Sequence, residues 1–281
     1  ISLTWNEPKA SYDVVIVGAR CAGAATAMRL ASLGFHVLAI DKSRLGSDTV
    51  STHALMRPAV LLLKRWGITE RLDAEGTPRI EKTTFVYSDA DGTETISIPI
   101  KRRHGVDALY APRRTVLDRV MVEAALDAGA DVRHGVTLRD LLHDSSGRVS
   151  GVRVVDATGT VSEVNAGLVV GADGRRSTVA RLVGATSYVW GRHATASAFG
   201  YFDNLPVDGN RWYYRPGVGV GAIPTNDGQT CVFAAVRGNF AKASPVERLD
   251  QFHRTIAESA PDIAAQLPNA KLTSRLRFFP G

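Results

Sequence analysis

Residues 12–41 read YDVVIVGARCAGAATAMRLASLGFHVLAID, and the order of residue types in this stretch decides the fold. Residues 12–17 are apolar and β-branched, the composition of a short buried strand. They run directly into Gly18-Ala-Arg-Cys-Ala-Gly23, residues 24–33 then read as a helix, and Gly34 ends it. A second apolar strand over residues 35–40 finishes at Asp41, eighteen positions after Gly23. Strand, glycine turn, helix, strand and terminal acid together make a βαβ unit of the kind that binds dinucleotides. Glycine at 18 permits the tight turn, and Gly23 lets helix and strand pack closely. The first amides of the helix offer partial positive charge to a pyrophosphate, and Asp41 is placed to accept hydrogen bonds from a ribose diol. One position departs from the pattern: Arg20 stands where the fingerprint has its second glycine, so its side chain either turns outward or contacts the cofactor. Without a ligand the same elements would be an ordinary α/β unit.

The rest of the composition narrows the class. The chain has 281 residues, 44% apolar and 22% charged, which suits one large domain or two interwoven ones and excludes a disordered or collagenous chain. The longest apolar run, residues 231–236, is far shorter than the ~20 residues of a spanning helix, so no membrane span is expected and a cytoplasmic location is. The two cysteines, Cys21 and Cys231, have no zinc-type spacing, and no metal site is expected. Net charge is +6, but the basic residues fall in short clusters (101–103, 113–114, 175–176) with no nucleic-acid motif, and nucleic acid is not an expected partner.

A second glycine–acid segment follows another short apolar strand at residues 167–170: Gly171-Ala-Asp-Gly-Arg-Arg-Ser177, leading into a helix over 178–183. Together with the N-terminal fingerprint and Arg114-Thr-Val-Leu-Asp118, it resembles the FAD-dependent enzymes with the para-hydroxybenzoate hydroxylase fold. That group includes aromatic-ring monooxygenases, flavin-dependent halogenases and geranylgeranyl-reductase-like saturases, and the resemblance covers about residues 12–184. It implies an α/β architecture: a Rossmann-like FAD-binding domain with an interleaved, mainly antiparallel substrate domain. It further implies that Gly18, Ala19, Arg20 and Gly23 serve the FAD pyrophosphate, Asp41 the adenosine ribose, and Arg114 the middle of the cofactor. Asp173, with Gly174, would serve the ribityl and pyrophosphate region, and NADH or NADPH would bind transiently near Arg175, Arg176 and Arg181.

The polar segment 47–53 and Arg57 lie where related chains pass the flavin ring, so His53 and Arg57 are candidate catalytic residues; His53 is equally placed to cap or pack a helix start. A helix is expected over 59–66, hairpins over 83–98 and 149–164, and an amphipathic helix over 110–129 with Val116, Val120, Ala124 and Leu126 on its apolar face. A strand should begin at 131–134. Separated strands at 195–202, 211–215, 217–223 and 229–236 suit an antiparallel sheet, and a closing helix is expected over 245–267. Trp190, Trp212, Tyr213, Tyr214 and Phe233 could line a pocket, though such residues in alternating strands more commonly pack a core. The expected division is 1–77 with 111–184 for the FAD domain, and 78–110 with 185–281 for the substrate domain.

The resembling family carries a Gly-Asp-Ala segment C-terminal to this sheet, and none occurs here, so the chain is expected to be C-terminally truncated and to hold FAD weakly. The activity implied is NAD(P)H-dependent monooxygenation of a small aromatic or polyketide-like molecule through a flavin hydroperoxide. The alternatives are a geranylgeranyl-reductase-like saturase or a noncatalytic nucleotide-binding fragment. A halogenase is disfavoured, because Gly219 and Gly221 stand where that group carries tryptophans. Composition leaves the oligomeric state open.

Overall fold

The computed structural model describes residues 11–51, 54–189, 191, 195–237 and 244–279, with the backbone alone at Pro245. The chain divides into two compact units, residues 1–49 with 114–189 and residues 50–113 with 190–281. The first unit opens with β1 (Ser11–Val17), α1 (Cys21–Ala31) and β2 (Val37–Asp41). The chain then builds part of the second unit with α2 (Arg57–Arg65), α3 (Ile68–Ala74) and the hairpin β3 (Lys82–Ser88) and β4 (Thr93–Pro99). It returns to the first through α4 (Arg114–Asp127), β5 (Asp131–His134), β6 (Thr137–His143), β7 (Val149–Val155), β8 (Val161–Gly171) and α5 (Thr178–Leu182). The second unit is completed by β9 (Thr195–Asp203), β10 (Asn210–Arg215), β11 (Val218–Pro224), β12 (Thr230–Arg237), α6 (Pro245–Ser259), α7 (Pro261–Ala264), β13 (Lys271–Leu272) and β14 (Arg277–Phe279).

In the first unit the strands run in the order β5-β2-β1-β8-β7-β6. The first four are parallel, and β7 and β6 extend the sheet antiparallel. Val15, Ile16, Leu38 and Ile40 are fully buried, which is why these strands read as continuous apolar runs. Each such side chain contributes about 1.5–3 kcal/mol on leaving water. The two expected segments 161–164 and 167–170 are one strand of eleven residues, because β8 pairs with β7 through its first half and β1 through its second. The buried face of α4 also differs from expectation: Leu117, Asp118, Met121 and Ala125 are buried beside Val120 and Ala124, while Val116 and Leu126 stay partly exposed. Tyr110 lies outside that helix, in a bridge to Leu55.

The second unit's sheet has the order β13-β9-β12-β11-β10-β3-β4, with β14 also on β9. It is antiparallel except where β3 and β10 run parallel. One face packs Tyr213, Val220, Ala222, Val232 and Ala234 against Phe252 and Ile256 of α6 and Ile263 of α7. The single closing helix expected over 245–267 breaks at Ala260 (φ −137°), since the following Pro261 disfavours helical backbone before it. Its start is fixed by a capping box between Ser244 and Glu247. Residues 50–77, expected with the FAD domain, pack in the second unit: Leu55 N donates to Tyr110 O, and Asn226 Nδ2 donates to Glu75 O.

Candidate functional site

The two glycine-bearing loops sit side by side at the C-terminal ends of β1 and β8. Val17 is paired with Gly171, and Ala172 N donates to Val17 O at 2.7 Å. Gly18 has φ +103°, and a Cβ there would lie 2.3 Å from Ala172 O and 2.8 Å from Asp173 N. A Cβ on Gly23 would lie 1.6 Å from Gly18 O. Both glycines are therefore required: Gly23 by the close packing expected of it, and Gly18 by its positive φ in the expected turn and also by its approach to the second loop. In the first turn of α1, Cys21 N donates to Asp118 Oδ1, whereas the Ala22 and Gly23 amides carry no hydrogen bond to other described residues.

Arg20 neither turns outward nor stands free. Its guanidinium donates to Asp118 Oδ2 at 2.8 Å and to Ser47 O and Oγ at 3.0 Å. Asp118, nearly fully buried, also accepts from Arg114 Nη2 at 2.8 Å and from the Cys21 thiol at 2.9 Å. One carboxylate thus faces two guanidinium groups, and the cluster keeps one net positive charge at the N-terminus of α1. Burial, with the negative charge of Asp118 adding to it, pushes the Cys21 thiol up to about 12, so the thiol stays protonated and unreactive.

Asp41 is buried at the end of β2, and both of its oxygens are engaged. Oδ2 accepts from Ala19 N at 3.0 Å and Oδ1 from Ser43 N at 2.8 Å. Each oxygen has a second lone pair for a further donor. Beside it, at the end of β5, stands His134, which the sequence reading passed over. Its Nδ1 lies 3.0 Å from Ser43 O, so Nδ1 carries a proton, and in the neutral ring Nε2 is the acceptor. Nε2 is buried with no hydrogen-bond partner, and the ring lines a pocket with Ala19, Arg20, Asp41, Ser47 and Asp118. The pocket has about 10 Å³ of free space, room for one water, because segment 43–47 is held down on Arg20. The signal that marks His134 is positional: it ends a parallel strand paired with Asp41.

Asp173 accepts from Ser177 Oγ at 2.6 Å and Thr178 N at 2.5 Å, so its carboxylate caps the turn into α5. Gly174 is exposed with φ +82° and nothing crowding it. Arg175, Arg176 and Arg181 are exposed. Arg57 lies in the second unit, where its guanidinium donates to Val106 O at 2.7 Å and Lys101 O at 3.0 Å and so clamps a loop. His53 and Trp190 lie outside the described residues. On the sheet face opposite α6, register places Phe85, Trp212, Gly221, Phe233 and Phe199 in one row across five strands. A Cβ on Gly221 would come within 2.1 Å of Phe233 Cε1, so the missing side chain is what lets that ring lie 5.5 Å from Trp212. Tyr213 faces the other way and is core, as the commoner expectation has it.

Comparison with known proteins places this geometry. The menaquinone reductase of Mycolicibacterium smegmatis is 36% identical over 174 residues, 62% of this chain and 40% of that protein. The digeranylgeranylglycerophospholipid reductase of Methanospirillum hungatei is 27% identical over 277 residues, 94% of this chain and 62% of that protein. The chain therefore spans less than two thirds of the length of either relative. Among solved structures, the myxobacterial chondrochloren halogenase superposes with a TM-score of 0.83 at 21% identity, covering 97% of this chain and 64% of that one, which bears out the expected fold class. The FAD binding domain family matches residues 11–274, and the chain belongs to that family.

Proposed function

We propose that the chain binds FAD and works within an FAD-dependent oxidoreductase that reduces carbon–carbon double bonds of an isoprenoid substrate. One observation carries the cofactor reading: the fingerprint turn and the 171–174 turn abut, with Gly18 too close to Ala172 O to admit a side chain. The residues present fit the cofactor's adenine half. Gly18, Ala19 and Gly23 would hold the pyrophosphate, aided by the Ala22 amide and by Arg20 and Arg114, whose joint charge exceeds that of Asp118. Asp41 and His134 Nε2 would accept from the adenosine ribose, and segment 43–47 would have to lift from Arg20 to admit it. Asp173 would act by fixing the shape of its turn. When bound, FAD supplies two-electron transfer, and the protein supplies orientation and exclusion of water. NADH or NADPH would deliver the electrons, with Arg175, Arg176 and Arg181 as its candidate contacts.

Reduction is preferred because the two relatives just described are both named reductases, one of menaquinone and one of a digeranylgeranyl lipid. The aromatic row on the second sheet would equally suit a flat ring, which keeps monooxygenation as the second reading. Oxygen separates them: anaerobic NAD(P)H oxidation with substrate continues for a reductase and stalls for a monooxygenase. The cofactor reading itself fails if the protein, incubated with FAD and desalted, releases no flavin on denaturation and gives no flavin absorbance.

A further inference from the structure

We infer that the free edge of the second unit's sheet, with the loop that follows it, is a docking surface for an anionic lipid bilayer. β4 is an edge strand with all seven residues exposed. Register sets Ile96 opposite Phe85, and the period of two puts Ile98 on the same face as Ile96 and Tyr87 on the same face as Phe85. Tyr214 stacks on Tyr87 there, with ring centroids 5.5 Å apart. Ile96, Ile98, Tyr87 and Tyr214 are each 40–47% exposed, so two aliphatic and two amphipathic aromatic side chains share one open face.

Beyond Pro99 the chain turns into Lys101, Arg102 and Arg103, all exposed and none in an ion pair among the described residues. They line a groove of about 600 Å³ with Arg57, Ser97 and Ile98. Their loop is fixed from beneath: Arg57 donates to the carbonyls of Lys101 and Val106, and Lys64 Nζ to that of Gly105 at 2.7 Å. The three cations are therefore presented on a pinned backbone beside apolar side chains. The acid on that face of the strand, Glu94, is paired with Tyr87 and stands two residues from Ile96, at the end of the patch away from the cations and about 13 Å along the strand from Ile98. Nucleic acid would satisfy the cations and leave the isoleucines in water. A bilayer takes both, with headgroup phosphates on the loop, tyrosines at the headgroup level and isoleucines at the acyl boundary. No helix among the described residues is long and apolar enough to cross a membrane, and the contact inferred is a peripheral one. This inference does not depend on the cofactor reading.

The test is co-sedimentation of the whole chain with phosphatidylcholine vesicles, with and without phosphatidylglycerol, at low and high salt. Binding to the anionic vesicles alone, weakened by salt, is expected. Each cation near such a surface tightens binding about fivefold, so replacing Lys101, Arg102 and Arg103 together by serine should weaken it by about a hundredfold. The pair Ile96→Ser and Ile98→Ser should weaken it further at every salt concentration, with the urea midpoint of each variant reporting that it still folds. The inference is overturned by absence of vesicle binding, by equal binding to neutral vesicles, or by undiminished binding of the folded triple variant. It is equally overturned if duplex DNA binds the chain more tightly than the anionic vesicles do and the isoleucine pair leaves vesicle binding unchanged.

Discussion

Replacing Gly18 by alanine tests the contact on which the cofactor reading rests. The new methyl group would start 2.3 Å from Ala172 O and 2.8 Å from Asp173 N, both backbone atoms, whereas ordinary contact begins at 3.4 Å. The second loop would have to retreat by about 1 Å, dragging the Ala172 N–Val17 O hydrogen bond with it. Backbone strain at φ +103° costs about 1–3 kcal/mol, and overpacking a tight site adds about 1–3 kcal/mol. Gly174→Ala is the internal control, since that glycine has φ +82° with nothing within 4 Å, and should lose only the strain, about 1–2 kcal/mol. Thermal unfolding at about 3 °C per kcal/mol should therefore separate the two variants by several degrees. Titration with FAD, followed by flavin fluorescence, should show Gly18→Ala binding at least about a hundredfold more weakly than the parent. If Gly18→Ala unfolds at the same temperature as Gly174→Ala and binds FAD as well as the parent, the two loops do not form one site.

Three further outcomes concern the cluster around α1, two high-titrating groups and the pocket at His134. Asp118→Asn leaves Arg20 and Arg114 facing each other without the carboxylate, and should cost about 2 kcal/mol in urea unfolding, discounted for the partial exposure of both arginines; a loss below about 0.5 kcal/mol would contradict the network. The Cys21 thiol and the Tyr110 hydroxyl are both held up to about 12, the first mainly by burial and the second by burial and its bond to Asp73. Folding favours their neutral forms, so the stabilisation is intact below pH 9 and fades as pH rises toward 12. Unfolding free energy measured across that range should fall, less steeply in Cys21→Ser, and a parallel pair of curves would refute the assignment for the thiol. His134→Phe removes the unpartnered Nε2 along with the Ser43 contact, so urea stability should change by less than about 1 kcal/mol while FAD affinity drops about tenfold. FMN, which lacks the adenosine, should bind both proteins alike; an equal loss for FMN would move His134 away from the ribose.

Much of the first unit was legible because its signals are local. A β-branched run, two glycines with steric reasons and an acid at fixed distance need no knowledge of the rest of the chain. β6 escaped because its buried residues, Leu138 and Leu141, are three apart, a helical spacing produced by a register shift between Leu138 and Asp140. β8 reads as two strands, 161–164 and 167–170, because Asn165 and Ala166 interrupt its pattern, and only the change of partner from β7 to β1 shows why they belong in one strand. The site was legible in its glycines and in Asp41 but not in its electrostatics. Arg20 meets Asp118 across 98 positions, and the contact of His134 with Ser43 spans 91, so nothing in the local pattern could pair them. Arg57 stands out in the sequence for its place in the order of motifs, yet its donors are spent on carbonyls more than forty positions away.

The carboxylate of Asp118 has a consequence for how any anion would arrive. It already takes a first-turn amide of α1 and the guanidinium groups of Arg20 and Arg114, which are the donors a phosphate would seek. Occupancy by a ligand is then an exchange in which one negative group substitutes for another, and the number of hydrogen bonds hardly changes. What would drive such a swap is the one surplus positive charge that Asp118 leaves unbalanced on Arg20 and Arg114, so net charge, and not the count of hydrogen bonds, would decide how tightly an anion is held at the α1 terminus.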